Sequence, residues 1–246
     1  MNIGDNPFRR QTISLGTITP SANIVVERIT TAILADFPQV SGHYSRVSVV
    51  GSKDSYSGDY DWRGMLDAAV LLGHARPDVI LWNGSKGGSI GFDADRDLCA
   101  RIKALTGRQA TTSTLGVEGF FKRDGVKRFG LVTPYAKAYQ DKIVEVYGRE
   151  GYACAAEAHA GRTDNFSYCE IPDSEIAAMV AHVASAKPDS IITYCTNFPA
   201  APLVADLEQR YGVPIYDSVS IGVREALVLA GVDPSPGRRW GSAFTR

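Results

Sequence analysis

The chain has 246 residues, 44% of them hydrophobic, with 26 basic and 27 acidic side chains and a formal net charge of -1. That balance gives no electrostatic footing for nucleic acid or an anionic membrane as partner, and no apolar run approaches the ~20 residues of a membrane span. The start Met-Asn-Ile-Gly-Asp lacks a basic-then-apolar leader, so a soluble, cytoplasmic chain folding as one large domain or two similar lobes is expected.

In chain order, Thr12–Ile18 reads as a strand, and Thr19-Pro20-Ser21-Ala22-Asn23 turns it into a helix from Ile24 to about Phe37. His43–Val50 alternates like a second strand. Gly51–Tyr60, rich in Gly, Ser, Asp and Tyr, reads as a long loop of the kind that walls an entrance. A helix from Trp62 to His74 precedes the buried strand Val79–Trp82 and the turn Asn83-Gly84-Ser85-Lys86-Gly87-Gly88. That turn matches neither GxxxxGK[ST] nor GxGxxG, so nucleotide binding is not expected. Asp93–Thr106 is a predicted helix, Gln109–Thr112 a short strand and Val117–Arg123 a helix.

A second cycle opens with the strand Arg128–Val132 and Thr133-Pro134-Tyr135, then a helix from Lys137 to Gly148. Tyr152–His159 is a predicted strand and Ala160–Tyr168 a polar loop holding Arg162, Asp164 and Asn165. The helix Asp173–Ala186 leads to a strand ending in Cys195, followed by a helix from Pro199 to Tyr211, the strand Val213–Tyr216 and the helix Ile221–Ala230. Alternating strands and helices with short connections imply parallel sheets, with ligands bound outside the carboxyl ends of the strands.

Two internal echoes point to duplication. Arg76-Pro-Asp-Val-Ile-Leu-Trp-Asn-Gly84-Ser-Lys aligns with Lys187-Pro-Asp-Ser-Ile-Ile-Thr-Tyr-Cys195-Thr-Asn, and Gly16-Thr-Ile-Thr-Pro20 with Gly130-Leu-Val-Thr-Pro134, at nearly the same offset. The fold class is therefore α/β with two pseudo-symmetric lobes, each a parallel sheet flanked by helices, and the active site between them. Residues 12–117 with 218–246 are assigned to the N-terminal lobe and 118–217 to the C-terminal lobe. In the alignment Gly84 stands where Cys195 stands.

If the halves face each other, the turns near Asn23, Gly84, Tyr135 and Cys195 meet in one pocket. Cys195 can serve there as nucleophile, acid or base, its thiol lowered by the amides of the following helix; the alternative is a small apolar residue packed in the core. Cys99, Cys154 and Cys169 read as packing thiols. Tyr135 either aims its hydroxyl at an oxyanion or packs its ring over the next helix, and Asn23 either donates to a carboxylate or caps. Ser85 and Lys86 offer donors at the first-lobe turn. The four cysteines and four histidines show neither CxxC nor HExxH spacing, so no metal site is predicted.

The set Thr19-Pro20-Ser21-Ala22-Asn23, Thr133-Pro134-Tyr135, Asp164-Asn165 and Tyr194-Cys195-Thr196-Asn197 resembles the aspartate/glutamate racemase superfamily, in its maleate cis-trans isomerase and arylmalonate decarboxylase branch. The resemblance spans about residues 12 to 235. It implies two flavodoxin-like lobes enclosing a small carboxylic or dicarboxylic acid, with no cofactor and with a homo-oligomer allowed. It further implies catalytic roles for Cys195, Tyr135, Gly84 and Ser85, and substrate contacts from Pro20, Asn23, Lys86, Asn165, Thr196 and Asn197.

Racemases and maleate isomerases of this kind carry one cysteine per lobe, whereas glycine in the first lobe and cysteine in the second resembles arylmalonate decarboxylases. The expected activity is decarboxylation of a malonate-type acid through an enediolate protonated by Cys195, with the leaving carboxylate in an apolar sub-pocket near Trp82 or Phe198. Two alternatives stay open. One is a maleate isomerase-like reaction using a single thiol, which Asn23 and Asn165 favour; the other is a non-catalytic carboxylate binder.

Overall fold

A computed structural model describes residues 13–49 and 58–246. It contains two four-stranded, wholly parallel sheets. The first has the order β2-β1-β3-β4, from β1 (Ile13–Pro20), β2 (Val40–Val47), β3 (Val79–Trp82) and β4 (Gln109–Thr112). The second repeats that order as β6-β5-β7-β8, from β5 (Arg128–Tyr135), β6 (Ala153–Arg162), β7 (Ser190–Thr193) and β8 (Ile215–Asp217). The central strands β3 and β7 are buried along their whole length, which is why they read as unbroken apolar runs rather than alternating ones.

The repeated Pro-Asp phrase does the same work in both sheets. Arg76 and Lys187, the residues before it, are the two non-glycine residues with positive φ among those described, at 52° and 50°. The aspartates then clamp the neighbouring strand. Asp78 accepts from the Ser14 amide at 2.8 Å and Asp189 from the Lys127 and Arg128 amides at 2.9 and 2.8 Å. Opposite each phrase a glycine lets the proline approach: a Cβ on Gly16 would lie 3.2 Å from Pro77, and one on Gly130 would lie 3.3 Å from Pro188.

The α-helices of two turns or more among the described residues are α1 (Val25–Leu34), α2 (Trp62–His74), α3 (Phe92–Thr106), α4 (Ser113–Arg123), α5 (Lys137–Arg149), α6 (Asp173–Ala184), α7 (Val204–Tyr211) and α8 (Ser218–Leu229). Two of them exchange places. α4 comes after the first sheet, yet its Val117, Phe120 and Phe121 pack with Phe129, Leu131 and Tyr216 of the second. α8 comes after the second sheet, and its Val223, Ala226 and Leu227 pack with Leu15, Val79 and Leu81 of the first. The two helices cross closely: a Cβ on Gly116 would come within 2.7 Å of Ile221, and one on Gly222 within 2.8 Å of Ser113 Oγ.

Several boundaries differ from the sequence expectation. β1 continues through Pro20 and β5 through Tyr135, because both stay paired to their neighbours. β2 runs Val40–Val47 rather than from His43, and Val50 to Ser57 lie outside the described residues. β6 extends to Arg162, so the polar loop expected at Ala160–Tyr168 shrinks between this strand and a 3-10 turn at Phe166–Glu170. α4 starts at Ser113, four residues early, since the Thr112 side chain accepts from the Leu115 amide and caps it. α8 starts at Ser218 for the same reason, with Asp217 accepting from Val219 and Ser220.

The helix expected directly after Cys195 is absent there. Residues after the cysteine form turns and a 3-10 segment, Ala201–Leu203, and the α-helix begins only at Val204. Pro199 and Pro202 supply no amide hydrogens to close the first helical turns. No helix among the described residues is long and apolar enough to cross a membrane.

Because left-handed backbone costs a side-chain-bearing residue about 1–2 kcal/mol, Arg76→Gly and Lys187→Gly should each be neutral or stabilising by up to about 0.5 kcal/mol once the entropy of glycine in the unfolded chain is subtracted. β-branched valine at either position should cost more than about 1 kcal/mol. Urea unfolding of the four variants tests this.

Candidate active site

One cavity of about 120 Å³ lies at the carboxyl ends of both sheets, lined from the first lobe by Pro20, Asn23, Val47, Val49, Tyr60, Met65, Trp82, Ser85 and Lys86. The second lobe contributes Tyr135, Tyr139, Asn165, Tyr168, Cys195, Thr196 and Asn197. The volume suits a ligand well below drug size. Nine of the ten residues singled out in the sequence meet here. Gly84 does not line the cavity, and the reason is steric: a Cβ at that position would fall 2.1 Å from Trp82 Cζ2 and 2.4 Å from Cε2.

Cys195 sits two residues past the end of β7, with 4% of its surface exposed, and lines the cavity. Its amide donates to Ser218 Oγ at 3.2 Å, fixing the backbone, and the Asn197 amide donates to Sγ at 3.4 Å. Burial pushes the thiol up to about 12 from 9.0, opposed by hydrogen bonds from Tyr135 and the Asn197 amide and helped by the charge of Asp217. This corrects the expectation of a lowered thiol, because the helix expected directly after it begins only at Val204 and desolvation of the thiolate dominates. A thiol so raised stays protonated across the neutral range.

A hydroxyl chain joins the lobes at this point. Ser85 Oγ and Tyr135 OH lie 2.9 Å apart, and Tyr135 is in turn hydrogen-bonded to Cys195. Of the two readings for Tyr135, the ring packing is what the contacts show, and the hydroxyl meets Ser85 at the cavity wall. The ring stacks edge-on against Tyr139 and Tyr168 with centroids 4.5 and 5.3 Å away, and burial keeps the phenol protonated, well above its ordinary value. Ser89 Oγ holds Tyr139 OH at 2.8 Å.

Asparagine amides form the opposite rim. Asn23 Oδ1 accepts from the Val25 and Val26 amides, both at 2.9 Å, and so caps α1, while its Nδ2 donates to Thr196 Oγ1 at 3.1 Å. Asn197 reaches across: its Oδ1 accepts from the Ile24 and Val25 amides at 3.0 and 3.3 Å, and its Nδ2 donates to the Asn165 carbonyl at 2.6 Å. Each carboxamide nitrogen carries a second hydrogen, which leaves a donor for a ligand.

The remaining wall is apolar. Val47, Met65, Trp82 and Tyr60 belong to one core cluster with Val49 at its edge. Trp82 Nε1 donates to Tyr60 OH at 3.1 Å, and that hydroxyl donates in turn to the buried Asp95. Burial pushes Asp95 up to about 6 against the hydrogen bonds from Thr112, Tyr60 and Thr114. Lys86 Nζ sits 5.9 Å from the Tyr60 ring centroid, within cation-π range. Of the two apolar neighbours expected for the leaving carboxylate, Trp82 lines the cavity and Phe198, fully buried, does not. Arg162 is exposed and outside the lining.

Sequence reasoning passed over Val47, Val49, Met65, Tyr139 and Tyr168 as site residues. The signal for the first two was available, since they lie at and just past the end of β2, the strand adjacent to the one carrying Pro20. Met65 and the tyrosines gave none, being helical or irregular apolar positions. Among the described residues no three His, Cys, Asp or Glu side chains are grouped to hold a metal ion.

The arylmalonate decarboxylase family model matches residues 69–239, and the chain belongs to that family, an enzyme branch of the aspartate/glutamate racemase superfamily. It is 28% identical to the maleate isomerase of Nocardia farcinica over 94% of this chain and 97% of that protein. Among solved structures, a maleate isomerase variant from Pseudomonas putida with maleate superposes with a TM-score of 0.86 at 19% identity, over 96% of this chain and 98% of that one. The liganded form of an arylmalonate decarboxylase carrying Gly-to-Cys and Cys-to-Ser exchanges gives 0.82 at 20% identity, over 95% and 99%.

This geometry is open to two measurements. Asn197→Ala should lose about 2 kcal/mol of stability, the sum of a helix cap and a buried hydrogen bond, whereas Asn197→Asp, which keeps the capping oxygen, should lose less; equal losses by chemical denaturation would contradict the cap. The thiolate absorbance of the native protein minus that of Cys195→Ala should show no ionisation below about pH 10. The sign is that of a raised acid: the unfolded thiol ionises from 9.0 and the folded one only near 12, so this group lowers stability as pH rises through that window and not below it.

Proposed function

We propose that this enzyme decarboxylates a malonate-type small dicarboxylic acid without a cofactor, through an enediolate that Cys195 protonates. The observation that carries the reading is a single thiol, buried and held protonated at the cavity wall, while the equivalent first-lobe position is a glycine covered by an indole. Two-base racemisation and attack by a first-lobe thiol both need a group that this chain lacks.

One carboxylate would sit among the polar donors: Tyr135 OH, Ser85 Oγ, the second amide hydrogens of Asn23 and Asn197, and Lys86. The other would lie against Val47, Met65 and Trp82, where its charge is poorly solvated and its loss relieves that cost. The carbon–carbon bond breaks, carbon dioxide departs, and the electron pair enters an enediolate held by Tyr135 and Ser85. Cys195 Sγ–H gives its proton to the α-carbon. The transient thiolate keeps its hydrogen bonds from Tyr135 and the Asn197 amide and takes a proton from water to close the cycle.

A second reading is supported by the full-length similarity to a maleate isomerase: the same thiol, or a water, adding to a maleate-like double bond. The two readings separate on carbon dioxide release. Incubation with substituted malonates in heavy water should yield a monoacid carrying one deuterium at the former carboxyl-bearing carbon, and Cys195→Ala should lower kcat by about 10²–10⁴ with the melting temperature preserved. Conversion of maleate to fumarate with no carbon dioxide from any malonate would transfer the assignment to isomerisation. Unchanged turnover in Cys195→Ala would end both.

A further inference from the structure

We propose that Trp82 is the specificity-determining residue that makes this site one-sided: its indole, anchored by Tyr60, fills the space into which a side chain at position 84 would project. The first lobe therefore presents an apolar wall where the second presents a thiol. Three observations combine. An ideal Cβ on Gly84 would lie 2.1, 2.4 and 2.6 Å from Trp82 Cζ2, Cε2 and Cη2, distances that no side chain adopts. These atoms belong to one rigid bicycle, so they move aside only when the whole indole turns about χ1 or χ2, which would break the Nε1 bond to Tyr60 OH.

The indole is also tied down. Its Nε1 donates to Tyr60 OH at 3.1 Å, the two rings meet edge-on with centroids 6.0 Å apart, and the Tyr60 hydroxyl is held by Asp95. Asp95 is completely buried and takes a second hydrogen bond from Thr112 Oγ1 at 2.5 Å. A Cβ on Gly87 would strike that carboxylate at 2.2 Å, so the backbone after Gly84 is itself seated on the acid that holds the anchor. Tyr60 and Asp95 are positioning residues, acting through the indole. Finally, Trp82 belongs to the cavity lining although only 2% of its surface is exposed.

The consequence for chemistry is that an intermediate lying between the walls meets a donor on the Cys195 side and aromatic carbon on the other. Protonation from one face gives one enantiomer. Placing a thiol at position 84 would not by itself supply a second donor, because the indole occupies its room. This stereochemical part rests on the function proposed above; the packing part does not.

The test uses Gly84→Cys, Trp82→Leu and their combination, with Trp82→Phe as a variant that retains an aromatic wall but loses the Tyr60 bond. Gly84→Cys alone should lower the melting temperature by about 5 °C through overpacking, and the same change in the Trp82→Leu background should cost less than half of that. With Cys195→Ser added, iodoacetate followed by peptide mass spectrometry should label the introduced thiol at least about tenfold faster when Trp82 is leucine, a difference of roughly one tenfold step in rate, with Trp82→Phe in between.

With Cys195 present and a prochiral malonate as substrate, Gly84→Cys should still give one enantiomer, while the double variant should lose that bias. Additive losses of stability, up to failure of the double variant to fold, or equal labelling with and without Trp82, would overturn the inference. So would a racemic product from Gly84→Cys with Trp82 intact. If the packing and labelling arms hold while no variant turns over any malonate, the decarboxylase reading fails and the indole wall stands.

Discussion

The architecture hangs on amide groups that are capped from across the cleft. Two amides at the start of α1, those of Ile24 and Val25, are satisfied by Asn197 of the opposite lobe, and Asn23 returns the bond to Thr196. Neither donor has an intrahelical carbonyl to bond; Val25 also meets Asn23 Oδ1 at 2.9 Å, so it is the Ile24 amide that leans most on Asn197. Satisfying them fixes the lobes relative to each other to within hydrogen-bond tolerance. The cavity owes its dimensions to that fixation, because Cys195 lies two residues from Asn197 and Pro20 three from Asn23. The proposed function, a small acid held against one sulfur, depends on such rigidity, since reacting groups lose rate quickly when displaced.

Electrostatics and sterics then divide the cavity. On one side burial keeps both Tyr135 and Cys195 in their protonated forms, so the hydroxyl chain from Ser85 can donate without carrying charge. On the other side an apolar cluster surrounds Trp82. The contrast is set at the carboxyl end of each central strand. At the second position past β7 the chain places the small side chain of Cys195 at the cavity, whereas the second position past β3 is Gly84, whose missing side chain leaves room that the indole of Trp82 covers.

Much of this was readable from residues alone, and the reasons are physical. The Pro-Asp phrase recurred because both copies start a buried strand from the same left-handed residue and clamp the same neighbour. The strand-end turns near Asn23, Tyr135 and Cys195 had to converge once two parallel sheets faced each other. The features that escaped depend on tertiary context. The thiol was expected to be acidified by a helix that Pro199 and Pro202 in fact delay to Val204. Glycine at position 84 looked like a simple loss of a thiol, and only the folded chain brings an indole into the vacated volume. Met65, Tyr139 and Tyr168 carry no local signal that separates a lining residue from a core one.

The exchange of α4 and α8 has a consequence for how such a molecule can be divided. Each sheet borrows one of its covering helices from the other end of the sequence, so neither half owns a complete set of layers. Cut between Arg123 and Arg128, the chain would yield two fragments, each with one sheet face missing part of its apolar cover and one orphaned amphipathic helix. Two copies of either fragment could in principle restore the missing layer by lending helices reciprocally, which is the geometry of a swapped dimer. In that sense the polypeptide is an internal dimer whose halves share their layers, and the cavity lies along the seam.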